Sequence, residues 1–290
     1  MATNQQRREA AKRKLERQLV HRAERAKRRK IVGAGVVVGA VVVVVGIVLA
    51  VVLSDGSSST DAAATDPSAN PAPPTTGPVQ IPTERAPMPK RTTPLANPVS
   101  CEYPASAGQP ASKPVKAPAN GQISSSGTVN ITMKSTAGDI PITLDRALAP
   151  CTVNSFIELS KQGFFTDTSC HRLGTDGLQM LQCGDPTGSG TGGPGYSFKD
   201  EVFPELKYGR GILAMANSGP DTNGSQFFMV YGTAELPASY TVFGSISDDG
   251  LKVLDKVARD GVDPAAAAQS QDGTGAPKTP VKFTAVAVAS

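Results

Sequence analysis

The sequence predicts a mainly β domain, an antiparallel barrel or sandwich, held on one membrane-spanning helix by a proline-rich spacer. Three observations predict it. Short strand-textured stretches separated by turn residues run from Thr128 onward, only two helical runs interrupt them without strand–helix–strand alternation, and a charge-free apolar run stands near the start.

The chain begins with a basic arm. Residues 1–30 hold 12 Lys and Arg against 3 Asp and Glu, a local balance of +9 within a whole-chain net of +4. The rest of the chain therefore carries −5, and the overall basicity says nothing about what the folded part binds. Residues 31–53 follow, 23 positions from Ile31 to Leu53 with no charge and a majority of Val, Gly and Ala. At ~1.5 Å per residue this length crosses a bilayer core. A cleaved secretory signal has an apolar region of only about 7 to 15 residues, and a run of this composition has no polar face for a core helix to turn outward. The reading is an uncleaved single-pass anchor in the lipid bilayer of the cell membrane, N-terminus cytoplasmic and the bulk of the chain outside. Orientation and anionic headgroups account for the basic arm, so no nucleic-acid partner is expected.

Residues 54–100 read as a disordered linker rich in Pro, Ser, Thr and Ala. Positions 54–127 carry 14 of the 24 prolines and one aromatic, Tyr103. Such a stretch buries too little apolar surface to offset its ordering entropy and tends to polyproline II. Residues 101–127 read as an extended segment fastened to the domain, because Cys101 and Tyr103 offer something to fasten, and residues 128–290 form the domain itself. All four cysteines, Cys101, Cys151, Cys170 and Cys183, follow the anchor, where an oxidising face favours disulfides; four allow three pairings. Zinc is the rival reading. No C-x-x-C spacing supports it and only His21 and His171 could assist, so neither a metal nor another cofactor is expected.

Within the domain, Val129 to Lys134 alternates, as does Ile140 to Leu144. Pro150 suits a first helical position, and Val153, Phe156, Ile157 and Ser160 follow at helical spacing until Gly163 stops the run. Strand-like pieces recur near 168–173, 179–184, 212–217, 226–231, 241–246 and 281–288. A second helix opens at Asp248-Asp249 and turns Leu251, Leu254 and Val257 inward.

Gly188 to Gly193 formally matches G-x-G-x-x-G, but Pro194-Gly195 follows where a nucleotide-binding helix would begin, so it reads as a turn. No G-x-S-x-G is present and no nucleophile stands at a telling spacing from His171, which excludes a hydrolase triad. What remains is His171-Arg172, Gln182, Asn217 and Gln226, interleaved with Met180, Met215, Phe227 and Phe228. Polar groups among apolar ones are costly unless hydrogen-bonded, so each needs a partner or a purpose.

Three stretches, in order, resemble the signatures of the cyclophilins. His171-Arg172 leads to Gln182-Cys183-Gly184-Asp185 and on to Gly190-Thr191-Gly192-Gly193; Met215 to Phe228 reads MANSGPDTNGSQFF; and Tyr240-Thr241-Val242-Phe243-Gly244 precedes the second helix. The resemblance covers about residues 128 to 290. It implies a closed eight-stranded antiparallel barrel capped by two helices. It also implies peptidyl-prolyl cis/trans isomerisation of proline-containing polypeptides, assisting folding outside the cytoplasm. By resemblance Arg172 is the catalytic arginine. The proline pocket is built from Phe228, Met180 and Leu236 with Tyr240 beside it, Gln182 and Asn217 hold substrate backbone, and Ala216, Gln226, Gly190 and His171 line the groove. In the family hairpin the positions of Cys170 and Cys183 adjoin, which implies that bridge and leaves Cys101 for Cys151. Two departures stand out: the stretch from His171 to Gln182 is about two residues longer than usual, leaving either Leu178 or Gln179 at a usually aromatic position, and Glu235 stands where many relatives have Trp. The second implies weakened cyclosporin binding. The alternative for the same fold is a catalytically weak peptide-binding or chaperone module, and a further one is a structural envelope protein whose spacer is the functional part.

Overall fold

The computed structural model describes residues 79–270 and 272–288. The basic arm, the apolar run at 31–53 and most of the linker lie outside them. Among the described residues no helix is long and apolar enough to cross a membrane.

A small two-stranded sheet pairs β1 (Val99–Cys101) with β2 (Gly121–Ile123). The main sheet holds β3 (Thr128–Ser135), β4 (Gly138–Asp145), β5 (Arg172–Gly174), β6 (Leu178–Cys183), β7 (Tyr208–Gly209), β8 (Ile212–Met215), β9 (Phe227–Ala234), β10 (Val242–Ile246) and β11 (Phe283–Val288). Their order is β11-β3-β4-β10-β8-β9-β6-β5, every pair antiparallel, with β7 against the far end of β9. Alternation does the sorting: Ile131 and Met133 of β3 and Ile140, Ile142 and Leu144 of β4 point inward and are buried, while their neighbours along each strand lie nearer solvent.

The closed eight-stranded barrel expected above requires correction. Among the described residues the main sheet holds nine strands and curls without closing. Between β5 and β11 the chain leaves a turn at 162–167, ending at Asp167 with a φ of 61°, and among the described residues isolated bonds cross the seam: Asp167 N–H to Phe283 O, Cys170 N–H to Val281 O and Phe283 N–H to Thr168 O. Among the described residues three helices stand where two capping helices were expected: α1 (Pro150–Lys161), α2 (Asp248–Asp260) and a short α3 (Pro264–Gln269), started by the Asp263 carboxylate accepting from Ala266 N–H.

α1 has no side-chain cap of its own. The half-buried Glu201 carboxylate supplies one, accepting from Cys151 N–H at 3.0 Å and Thr152 N–H at 2.8 Å. Its apolar face plugs the curled sheet through Phe156, whose ring lies 4.8 Å from that of Phe165 and 5.3 Å from that of Phe227. α2 is capped by Ser247, carries Asp248 and Asp249 in its first turn and buries Leu251, Leu254 and Val257 as the spacing predicts.

Residues 79–100, within the stretch read as linker, are extended against the domain. Ala86 N–H donates to Arg210 O, Arg85 reaches Asp248 and Ile246 O, and Arg91 reaches Leu148 O and Glu201 O. Beyond them the segment 101–127 is stapled by a disulfide between Cys101 and Cys151, and a second disulfide joins Cys170 to Cys183. Both match the pairing the resemblance implies.

Candidate active site

The register of four neighbouring strands builds the site. Arg172 of β5 stands opposite Gln182 of β6, Gln182 opposite Phe228 of β9, and Phe228 opposite Ala214 of β8. Directly opposed residues share a face of the sheet within side-chain reach, so a cation, an amide and an aromatic ring form one row. The adjacent row, Leu173, Leu181, Met229 and Leu213, faces the other way and is wholly buried. Because side chains alternate, Met180 returns to the face of Gln182, two residues away. The longer hairpin leaves this register intact, since the extra residues fall in the turn at 175–177.

The guanidinium of Arg172 is held on three sides. Nε donates to Thr274 Oγ1 at 2.9 Å, Nη2 to Asp272 Oδ2 at 2.8 Å, and Nη1 makes a longer contact of 3.5 Å with Gln182 Oε1. Gln182 passes the network on, Nε2 donating to Gln226 Oε1 at 3.0 Å, and Gln226 Nε2 donates to Gly190 O and Gly192 O. Hydrogen bonds from Ser270 and Thr274, set against partial burial, hold the Asp272 carboxyl well below the usual carboxylate range, and Arg172 adds to the effect.

The apolar part is a cluster of rings. Phe228 meets Tyr240 edge-on at 5.7 Å and lies 6.3 Å from Tyr208. The Tyr208 hydroxyl donates to Tyr240 O at 2.8 Å and accepts from Tyr240 N–H at 2.9 Å; burial pushes its pKa up to about 12, so it keeps its proton. Leu236 is half-buried against the hydrophobic core, of which Phe228 and Tyr208 are part.

Beside the row opens a groove of about 810 Å³. Gln182, Gly190, Ala216, Asn217 and Gln226 border it, and Ala216 N–H donates to Gln226 O. The Asn217 amide is engaged on both sides, donating to Ser239 O in the loop between β9 and β10 and accepting from Gly219 N–H in its own. One edge is the turn 187–192 wound round Asp185, whose carboxylate burial would raise, yet four hydrogen bonds from Thr187, Gly190 and Gly192 hold it below its ordinary value. A side chain at Gly192 would overlap Asp185 Oδ1, so this G-x-G-x-x-G is a carboxylate-centred turn. His171 packs beneath it, both ring nitrogens buried without a hydrogen-bond partner among the described residues, and burial lowers its pKa against the pull of Asp185.

Arg172, Gln182, Gln226, Met180, Phe228, Tyr240, Ala216 and Gly190 are thus brought together. Sequence reasoning missed Asp272, Thr274 and Tyr208. Nothing in the spacing of Asp272 and Arg172, a hundred residues apart, announces their pairing.

Residues 128–288 match the family model described as cyclophilin type peptidyl-prolyl cis-trans isomerase. The chain is 52% identical over 178 residues to a Mycobacterium leprae (strain TN) protein named probable peptidyl-prolyl cis-trans isomerase B, covering 57% of this chain and 60% of that one. It therefore spans less than two thirds of that relative's length. Over 132 residues it is 46% identical to peptidyl-prolyl cis-trans isomerase cypE of Dictyostelium discoideum, covering 44% of this chain and 83% of that one. A crystal structure of a Cryptosporidium parvum cyclophilin type isomerase aligns with 32% identity and a TM-score of 0.48 over 57% of this chain and 99% of that one.

Proposed function

The chain belongs to the cyclophilin type peptidyl-prolyl cis-trans isomerases, and from that premise we propose that it accelerates X-Pro isomerisation in polypeptides folding outside the cytoplasm, tethered to the cell membrane by residues 31–53. The observation that carries the reading is the cross-strand row of Arg172, Gln182 and Phe228. Rotation about a peptide bond passes through a twisted state about 18 to 20 kcal/mol up, where amide resonance is lost and the nitrogen gains a lone pair. In this reading Nη1 of Arg172, which among the described residues makes only its long contact to Gln182, donates to that nitrogen while Phe228, Met180 and Tyr240 grip the ring. A donor that meets the twisted amide better than either planar form supplies differential stabilisation without covalent chemistry. Gln182, Gln226 and the backbone about Ala216 and Asn217 hold the flanking chain.

The preserved register of Arg172 and Gln182 weighs against the alternative of a catalytically weak binding module. The placement outside the membrane rests on the charge step across residues 31–53 and on two disulfides, which persist in oxidising compartments. A proline-limited refolding assay with the purified full-length protein tests the activity. Catalytic amounts should shorten the slow phase, which takes tens to hundreds of seconds unaided; an unaltered phase would sink the reading.

A further inference from the structure

The groove has a wall that the family match does not contain. Residues 105–112 lie before the matched stretch 128–288, yet they line one side of the 810 Å³ space. This wall is pinned at both ends. Before it, Cys101 is bonded to Cys151, and the Tyr103 hydroxyl donates to Cys151 O and accepts from Asn154 Nδ2. After it, Lys113 Nζ donates to the carbonyls of Gly163, Phe164 and Thr166. Between the pins it is laced to the opposite loop: Ser106 N–H to Gly195 O at 3.0 Å, Ser112 N–H to Gly193 O at 2.9 Å, and Gly193 N–H to Ser112 Oγ at 3.0 Å. Gly195 makes this approach possible, since a Cβ there would come within 2.7 Å of Ala111 N.

None of the residues lining the groove is charged. Its floor, at Tyr196 and Ser225, is buried, and its rim offers hydroxyls and amides such as Gln109, Ser112, Thr191 and Gln226. A charged side chain entering would find the Asp185 carboxylate already taken up by Thr187 and Gly190 and the Arg172 guanidinium already held by Thr274 and Asp272, whereas a small polar one would find donors and acceptors. The groove is continuous with the catalytic row through Gln182 and Gln226. We infer that the strap 105–112 is a specificity-determining wall, seating the substrate stretch that flanks the proline and favouring uncharged, small polar side chains there. The inference rests on the isomerase reading of the same site.

The test uses the full-length protein and X-Pro peptides in which each flanking position carries Ser, Gln, Lys or Glu in turn. Exchange rate and calorimetric affinity are measured on each. At one flanking position at least, Lys and Glu peptides should both bind and turn over about five- to tenfold less well than Ser or Gln peptides. Gln109→Glu should then raise the Lys-to-Glu preference at that position about threefold and Gln109→Lys lower it about as much, as expected of a charge at a partly screened rim. The readout is a ratio within each variant, so a general loss of activity or stability drops out. Equal handling of all peptides, or a ratio unmoved by both variants, overturns the wall while leaving isomerisation standing. If no peptide is isomerised the catalytic reading falls, and the affinities still decide whether the wall selects.

Discussion

Arg172 Nη2 lies 2.8 Å from Asp272 Oδ2, across a hundred residues of chain. The pair is partly exposed, with 35% and 55% of the side chains accessible, so it adds little to stability. Its consequence is geometric: with Thr274 on Nε, it leaves Nη1 as the guanidinium group facing Gln182.

Asp272→Asn should therefore lower kcat/KM about three- to tenfold, mainly through kcat, with the thermal melt unchanged. Because the Asp272 carboxyl is held below its ordinary range, its charge and its contribution are present above pH 3.8 and are lost only as pH falls through the lower folded value. Between pH 5 and 7 the pair should impose no pH dependence. An Asp272→Asn enzyme with wild-type kcat would show that the carboxylate does not position Arg172.

His171 gives stability a slope of the same sign in a higher pH window. Burial lowers its pKa, with Asp185 opposing and Arg172 assisting, so below pH 6.5 the unfolded chain takes up a proton that the folded protein refuses until a lower pH. Stability should fall as pH drops from about 7 to 5. His171→Phe should flatten that part of the melting-temperature profile, and an unaltered profile would mean that another group sets it.

The two disulfides should differ in weight. Cys101–Cys151 closes a separation of 50 residues and Cys170–Cys183 one of 13, so the first restricts the unfolded chain more. Each is worth roughly 2 to 4 kcal/mol. The double substitution Cys101→Ala/Cys151→Ala should lower the melting temperature more than Cys170→Ala/Cys183→Ala, and should also release the strap, seen as faster proteolysis within 102–120. Equal shifts with a protected strap would locate its anchoring in Tyr103 and Lys113 instead.

How much of this was legible in the sequence depended on range. Alternation at 129–134 and 140–144, and Pro150 and Asp248-Asp249 at helix starts, are local signals, and the elements appear where those signals put them. The seam between β5 and β11 was not legible, because, of the strand expected near 168–173, only Arg172–Gly174 forms, while Ser169 makes an isolated bridge to Lys282. Nor was the ordering of 79–100, whose attachment comes from Arg85 and Arg91 reaching carbonyls on distant loops rather than from any apolar pattern. At the site, motif residues were legible because they sit in three compact stretches. Asp272, Thr274 and the wall at 105–112 were not, since polar residues in turn-like sequence carry no sign of what they will face.

The mechanism stands on Arg172. If its guanidinium stabilises the twisted amide, Arg172→Ala should lower kcat/KM about 10²- to 10³-fold, as loss of a preorganised donor does. Peptide affinity should fall much less, because the rings of Phe228 and Tyr240 and the Gln182–Gln226 amides remain in place. Phe228→Ala should weaken the ground-state grip on proline together with turnover, which separates a binding residue from one acting in the transition state. Arg172→Lys should restore only part of the rate. A point-charge ammonium cannot occupy Thr274, Asp272 and Gln182 at once as the planar fork does. Exchange rate and affinity measured on one X-Pro peptide, with each variant's folding checked by thermal melt, decide the matter. A folded Arg172→Ala protein within threefold of wild-type kcat/KM would make the arginine a bystander, and catalysis would then have to come from the pocket and the amide row alone.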